Sequence, residues 1–321
     1  MTIHSTQAFI AISGITSFSG AWLAKKLSDT GYRVLGLCSG SKFSYSGLKK
    51  YRLDLLSQCK NLELVENFLI PSKEALDWIK KQSITVWVHH HHHMANFRSP
   101  NYDNEAMKKT CMDPLADLVS ALKESGVRLV VYSGSFFEPG EGGERPKESI
   151  TPYSASKKQV WDLLQTTCNE MGILLSKVVI PDPIGALENN DRLIPILIKK
   201  SLKKEPIVVS TPLAQSDHLP IEYLVESYKS VIEKGLQGQA LTVRPSGWQG
   251  TLIDWIEFVN KELLVNAFHL KGCEVQISAS ISQGVSYLNP TKEKVLIDWP
   301  ENFKQYAKIV QSIGVNEVYE Q

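Results

Sequence analysis

The segment Phe9-Ile-Ala-Ile-Ser-Gly-Ile-Thr-Ser-Phe-Ser-Gly20 decides the fold. Its first five residues are mainly apolar and read as a strand. A turn bounded by Gly14 and Gly20 follows, and Gly20 to Thr30, with Trp22, Leu23 and Leu27 on one face, reads as a helix. Such a turn can hold a phosphate group, because glycine lets the backbone come close and the helix N-terminus carries N–H groups and partial positive charge. Gly14, Thr16, Ser17, Phe18, Ser19 and Gly20 are therefore candidate dinucleotide-binding residues.

Working outward, strands are expected at Arg33 to Cys38, Leu62 to Val65, Ile84 to about His90, Arg128 to Ser133 and Leu174 to Ile180. Helices are expected over Glu105 to Ser125, bent or bounded by Pro114, and over Tyr153 to Met171. The alternation predicts an α/β fold: a Rossmann-type doubly wound parallel sheet with a smaller C-terminal substrate-binding lobe. Beyond residue 180 the chain reads as helix and loop, with helices at Leu193 to Lys203, Ile221 to Lys234 and Leu252 to Leu264. The expected division is 7–180 with a return segment at about 206–235 for the dinucleotide domain. Residues 181–205 and 236–321 then form the smaller lobe.

Charge excludes several function classes. Thirty-five Lys and Arg against 34 Asp and Glu leave +1, so neither nucleic acid nor an anionic membrane is the expected partner. Five scattered cysteines without a CxxC pair fit reduced thiols, and no apolar window is long enough for a membrane span, so a cytoplasmic protein is expected. Five of the eight histidines, His89 to His93, are consecutive. Any pH sensitivity is expected to concentrate there.

Tyr153-Ser-Ala-Ser-Lys157 opens a helix, and the i to i+4 spacing puts phenol and ammonium on one face. A lysine beside a phenol is expected to stabilise phenolate, pulling the tyrosine from roughly 10 towards neutrality. Such a group can exchange a proton with a carbinol while hydride moves to or from a nicotinamide.

Together with the glycine turn, these motifs resemble the extended short-chain dehydrogenase/reductase family, which includes nucleotide-sugar epimerases and reductases. The resemblance implies Tyr153 as general acid/base and Lys157 as its partner and a ligand of the nicotinamide ribose. It implies Ser135 as the substrate-orienting hydroxyl, with Ser133 in reserve and beside the cofactor. The family's GxxGxxG is here Gly14, Ser17 and Gly20. Ser17 can present its amide, and its hydroxyl can reach a phosphate oxygen. Phe136 and Phe137 replace the family's Asp-Glu pair, which disfavours a dehydratase.

The end of the second strand bears on the cofactor. An acidic residue there favours NAD; this chain has Cys38, then Ser39 and Lys42, with no nearby carboxylate expected. A neutral site beside a lysine leans to NADP over NAD, while a solvated basic loop is the alternative. His89, His90, His91 and Pro181 complete the expected cofactor contacts. Strand alternation would send His89, His91 and His93 to one face and His90 and His92 to the other, and no metal is expected there. Glu138 to Pro152 is expected to form a flap over the substrate.

Expected substrate contacts are His92, His93, Arg98, Ser135, Phe136, Phe137, Asp182 and Arg192. The family's diphosphate-binding arginine position is Ser216, for which Arg192 and Arg244 are the candidate substitutes. The leading expectation is a nucleotide-sugar 4-epimerase or 4-ketoreductase, a homodimer through the helices near 105–125 and 153–171. An NADPH-dependent reductase of a small non-sugar carbonyl is the alternative enzyme, and a dinucleotide-sensing binding protein the non-enzyme.

Overall fold

The computed structural model describes residues 8–70, 72–142, 151–281, 288–289 and 296–319. The chain divides into two compact units, Met1–Ile180 with Tyr223–Pro245, and Pro181–Glu222 with Ser246–Gln321.

The first unit holds β1 (Phe9–Ser13), α1 (Phe18–Asp29), β2 (Arg33–Leu37), α2 (Gly47–Leu56), β3 (Leu62–Val65), α3 (Lys73–Lys80) and β4 (Val86–His89). It continues through α4 (Asn104–Met107), α5 (Leu115–Ser125), β5 (Leu129–Ser135), α6 (Pro152–Glu170) and β6 (Leu174–Ile180). The sheet order is β10-β6-β5-β4-β1-β2-β3, where β10 is Thr242–Val243, and every neighbouring pair is parallel. Strand order reverses between β1 and β4, so their carboxyl ends flank the crevice where open α/β sheets take ligands. The glycine turn leaves β1 at that point, and the histidine run leaves β4.

β1 is buried at every position, as a parallel strand covered on both faces requires. Trp87, Val130 and Tyr132 from the sheet pack with Leu118 and Leu122 of α5 in the core. Gly36 of β2 admits the turn: a Cβ there would stand 1.9 Å from Ile15 Cδ1.

The single helix expected over 105–125 is instead interrupted. α4 passes into a π-helical turn at Lys108–Met112, and Pro114 then caps α5, where its missing N–H costs nothing. Helices α2 and α3 were not anticipated, although Ser72 caps α3 through the Ala75 amide. The strand expected to reach His90 stops at His89, because the amides of His90 and His91 turn to Ser13 Oγ at 3.0 and 3.2 Å.

The second unit is richer in strands than expected. It has β7 (Asp182–Ile184), α7 (Leu193–Lys203), β8 (Ile207–Val209), β9 (Gln215–Pro220), β11 (Trp248–Thr251), α9 (Leu252–Val259), β12 (Val275–Ile277), α10 (Trp299–Ile313) and α11 (Val315–Tyr319). β11-β9-β7 form one small sheet and β12-β8 another. α8 (Ile221–Leu236) and β10 carry the chain back to the first unit, with Thr242 paired to Lys177. No helix among the described residues is long and apolar enough to cross a membrane. The five cysteines are buried and unpaired with one another.

Candidate active site

The turn after β1 is closed by its own backbone. Gly14 has φ +73°, and a Cβ there would meet the His91 backbone at 3.1 Å. A Cβ on Gly20 would stand 2.4 Å from the Gly14 carbonyl oxygen. Ser17 caps α1: its Oγ accepts from the Gly20 amide at 3.1 Å and donates to the Gly14 carbonyl at 2.8 Å. The hydroxyl expected to reach a phosphate oxygen is thus occupied in holding the turn. Arg52, buried on α2, donates to the Thr16 carbonyl at 3.1 Å and braces the turn. Phe18 is buried, and Ser19 Oγ lies 2.9 Å from His90 Nε2. A glycine at the close approach, a helix N-terminus and a guanidinium beneath the turn fit a dinucleotide pyrophosphate.

At the end of β2 one expectation is corrected. Cys38 is buried, and burial followed by the charge of Glu66 pushes its thiol up to about 11. A carboxylate does lie nearby: Glu66 Oε2 accepts from Ser41 Oγ at 2.9 Å and the Lys42 amide at 2.8 Å, bonds that hold its carboxyl below the usual range. The pairing of Leu37 with Val65 puts Glu66 beside Cys38, a signal that only the strand register exposes. Lys42 is exposed, its Nζ 5.1 Å from the Phe43 ring centre. Ser39 Oγ lies 3.3 Å from Tyr45 Oη, which also accepts from the Gly40 amide at 2.8 Å.

Since β4 ends at His89, simple alternation does not govern the histidines. His89 is buried beside Tyr132 and His91, with ring centroids at 6.0 and 4.7 Å. His90 bridges Ser19 and Ser133, its Nδ1 2.6 Å from Ser133 Oγ. Tyr228 donates to that same oxygen at 2.6 Å. His91 Nδ1 lies 3.3 Å from Ser13 Oγ.

His92 Nε2 stands 2.8 Å from Ser156 Oγ, which itself donates to the Tyr153 carbonyl at 2.7 Å. With that hydroxyl given to the carbonyl, His92 donates from Nε2, and its buried Nδ1 has no partner among the described residues. The His93 carbonyl accepts from Tyr102 Oη at 2.9 Å, and His93 Nε2 is likewise buried with no partner among the described residues. Burial first of all lowers these imidazoles: His90 to about 3, His91 to about 4, and His89 and His92 well below their ordinary value. These four are neutral near pH 7, so the pH sensitivity expected of them belongs to acid. No group of three or more His, Cys, Asp or Glu side chains among the described residues is placed to hold a metal ion.

Thr151 and Ser154 form a reciprocal capping box that starts α6 and fixes Tyr153 in its first turn. Lys157 is buried, donates from Nζ to the Ser133 carbonyl at 2.7 Å, and is lowered to about 8 by desolvation. Half-buried Tyr153 is surrounded by the rings of His92, Phe97 and Tyr102, at 5.4, 5.4 and 6.0 Å. The expected lowering of its phenol is not found. Burial, then Tyr102, Glu138 and Cys111, push it up, while the Lys157 ammonium is turned to a backbone carbonyl.

Ser135 Oγ accepts from the Phe137 amide at 3.2 Å, whereas the hydroxyl of Ser133 is taken by His90 and Tyr228. Phe136 is buried and Phe137 is 37% exposed, so only the second presents a ring outward. The expected flap begins with buried Glu138 and Glu141 instead of solvated charge, and 143–150 lie outside the described residues. These two acids and Lys177 escaped the sequence reading.

In the second unit, Pro181 is buried and Asp182 opens β7. Arg192 donates from Nη2 to Asp182 Oδ1 and the Pro183 carbonyl, both at 2.5 Å, and from Nε to Glu188 Oε2 at 2.8 Å. The two expected substrate residues thus engage each other. His218 lies 3.2 Å from Asp182 and stacks on Trp255 at 4.2 Å, with Ser216 Oγ 2.9 Å from its Nε2. Back in the first unit, Arg244 is bonded to Glu141 at 2.6 and 3.2 Å, and exposed Arg98 lies 5.1 Å from the Phe97 ring centre.

Comparison with known proteins bears on the fold and the family. No curated protein sequence matches the chain. Among solved structures, UDP-glucuronic acid 4-epimerase from Bacillus cereus, bound to UDP-glucuronic acid and NAD, superposes with TM-score 0.76 at 14% identity, covering 95% of this chain and 99% of that one. UDP-N-acetylglucosamine 4-epimerase from Methanobrevibacter ruminantium, in complex with UDP-N-acetylmuramic acid, gives 0.75 at 14% with the same coverage. UDP-glucose 4-epimerase from Thermus thermophilus, in complex with NAD, gives 0.70 at 15%, covering 94% and 99%. At these identities the likeness is one of fold. Residues 10–243 match the model of the NAD dependent epimerase/dehydratase family, and the chain belongs to that family.

Proposed function

We propose that the chain is an NAD-dependent 4-epimerase of nucleotide sugars, working through Tyr153, Lys157 and Ser135. The observation that supports the reading is the anchoring of Lys157 at the end of β5, where Ser135 also lies. Lys157 is bonded to the Ser133 carbonyl, Ser135 lies two residues on, and Tyr153 sits one helical turn before the lysine. Bound dinucleotide supplies hydride acceptance and return. Tyr153 takes and returns the carbinol proton, Ser135 orients the oxygen, and the Lys157 ammonium favours the charged phenolate as the site fills.

Glu66 supports NAD over NADP, because its negative charge would repel a 2′-phosphate. The buried lone pair of His92 Nδ1 beside Tyr153 suits a substrate hydroxyl. The engagement of Arg192 by two carboxylates, with Ser216 in the arginine position, favours one second reading: a reductase of a small carbonyl without a diphosphate. Buried, unpaired thiols support a cytoplasmic location, and the family resemblance supports a homodimer.

Mass spectrometry of small molecules retained by the purified protein tests cofactor and substrate together. Interconversion of UDP-glucose or UDP-glucuronic acid with the 4-epimer, lost by about a thousandfold in Tyr153→Phe, is the expected result. An unchanged rate in that variant would remove the mechanism, and turnover only with added reduced dinucleotide would favour the reductase.

A further inference from the structure

Three consecutive residues at the end of β5 are each held by a buried charge. Ser133 gives its carbonyl to Lys157 Nζ at 2.7 Å. Gly134 is crossed by Lys177 from β6: a Cβ there would stand 2.4 Å from Lys177 Cε and 3.0 Å from Glu138 Oε1. Ser135 donates its amide to Glu138 Oε1 at 2.7 Å. The carboxylate is then closed by Lys177, whose Nζ lies 2.6 Å from Glu138 Oε2. Behind it, Lys177 reaches Glu141 Oε1 at 3.2 Å, and Arg244 closes that acid. Glu138 is 0% exposed and Lys177 2%.

Such a cluster is a poor device for stability alone. Desolvating these charges consumes most of their attraction, and apolar residues of similar volume often stabilise as well or better. Its placement is more informative than its strength. Glu138 lies against the amide of the residue read as the substrate-orienting serine and Lys177 against the glycine before it, two and one positions from the carbonyl that holds Lys157.

We propose that Glu138 and Lys177 are positioning residues: Glu138 holds Ser135 through its amide, and the two opposite charges, packed against the strand end that carries the Lys157 contact, bias the Lys157 ammonium in opposite directions on top of its burial. The proposal rests on the catalytic reading of Ser135, Tyr153 and Lys157. Glu138 favours the ammonium and Lys177 opposes it. The other groups acting on or facing Lys157 are Cys111 from the π-helical turn, His89 to His92 after β4, Tyr132 of β5, and Tyr153 on its own helix. The imidazoles are neutral near pH 7, so the Glu138–Lys177 pair supplies the opposing full charges nearest the strand end.

The test is the titration of Lys157, followed by 15N NMR of lysine-labelled full-length protein and assigned with Lys157→Met. It needs no turnover. Glu138→Gln keeps an acceptor for the Ser135 amide while removing charge, and is expected to move the midpoint down by about one pH unit, a tenfold change in ionisation constant. Lys177→Met is expected to move it up by a similar amount, and the double variant to return it near the wild-type value. Glu138→Asp keeps the charge but shortens the reach: the midpoint should hold while kcat falls about tenfold at unchanged KM.

Shifts in the same direction, or none, in folded single variants would overturn the proposal. If one single variant does not fold, the double variant decides by comparison with the other: a midpoint equal to that of the remaining single variant overturns it. In an active enzyme the alkaline limb of kcat should follow the NMR midpoint. Opposite NMR shifts with an unmoved limb would sustain the electrostatic pairing and remove Lys157 from catalysis.

Discussion

The two sides of the crevice are built from different materials. After β1 the turn is made by backbone: Gly14 at positive φ, Gly20 against a carbonyl, and a cap that bonds only within the turn. After β4 and at the end of β5 the wall is made by side chains, with imidazoles, hydroxyls, lysines and a carboxylate bonded across strands. A backbone turn tolerates a change of chemistry but not of volume. A buried polar network tolerates the reverse, since an unmet partner costs more than a small gap.

The largest expected effect comes from acid, and it should strike the side-chain wall first. The folded protein holds His89 to His92 neutral, with His90 lowered to about 3 and His91 to about 4, whereas the unfolded chain takes up protons below its ordinary value near 6.5. Stability is therefore complete above about 6.5 and is lost as pH falls towards those values. Each neutral imidazole removes ~1.4 kcal/mol per pH unit in that window. Four together remove roughly 5 kcal/mol per unit, against a total of about 5–15 kcal/mol. Cooperative unfolding is expected near pH 5 by circular dichroism, with a shallower transition in His91→Gln. An unchanged slope in that variant would break the contrast between the two walls.

Next in size is Gly20→Ala. Its new Cβ would meet a carbonyl oxygen at 2.4 Å, and that oxygen belongs to a turn that cannot shift without moving Gly14 and the His91 backbone behind it. A loss of about 2–3 kcal/mol by urea unfolding is expected, with dinucleotide affinity down at least tenfold. If stability falls while dinucleotide affinity holds, the turn is not where the pyrophosphate sits.

The same contrast explains what was legible beforehand. The glycine turn, the strand–helix alternation and the Tyr153–Lys157 spacing each depend on residues a few positions apart, and all appear in the fold. Glu66 escaped notice because its relation to Cys38 exists only through the pairing of β2 with β3, twenty-eight residues apart in sequence. Lys177 escaped because its burial follows from the sheet order alone: β6 lies between β5 and β10 and is covered. The histidines looked like alternating strand positions until Ser13 Oγ captured two of their amides. Expected substrate residues Asp182 and Arg192 form an ion pair that neither residue discloses by itself.

Glu66→Gln sharpens the comparison at a third place, an exposed loop where neither backbone nor buried network rules. Removing the charge should raise NADPH affinity relative to NADH by about three- to tenfold in fluorescence titrations. Added salt should shrink the effect, since exposed charges are screened. A constant ratio would return the choice of dinucleotide to other residues.

The smallest effect is the most diagnostic for the backbone wall. Ser17→Gly restores the glycine spacing of the family and deletes the cap, yet a serine cap exchanged for glycine costs only a few tenths of a kcal/mol. Among the described residues the hydroxyl bonds only to Gly14 and Gly20, so no partner there is left stranded in another element. Thermal denaturation should show a fall of at most about 2 °C, and dinucleotide affinity should stay within about twofold. A larger thermal loss would mean that this turn, like the opposite wall, depends on side-chain bonds. A tenfold gain in affinity would mean that the serine obstructs the pyrophosphate. Agreement with both expectations would show that the amide at position 17, and not the group attached to it, is what the dinucleotide meets.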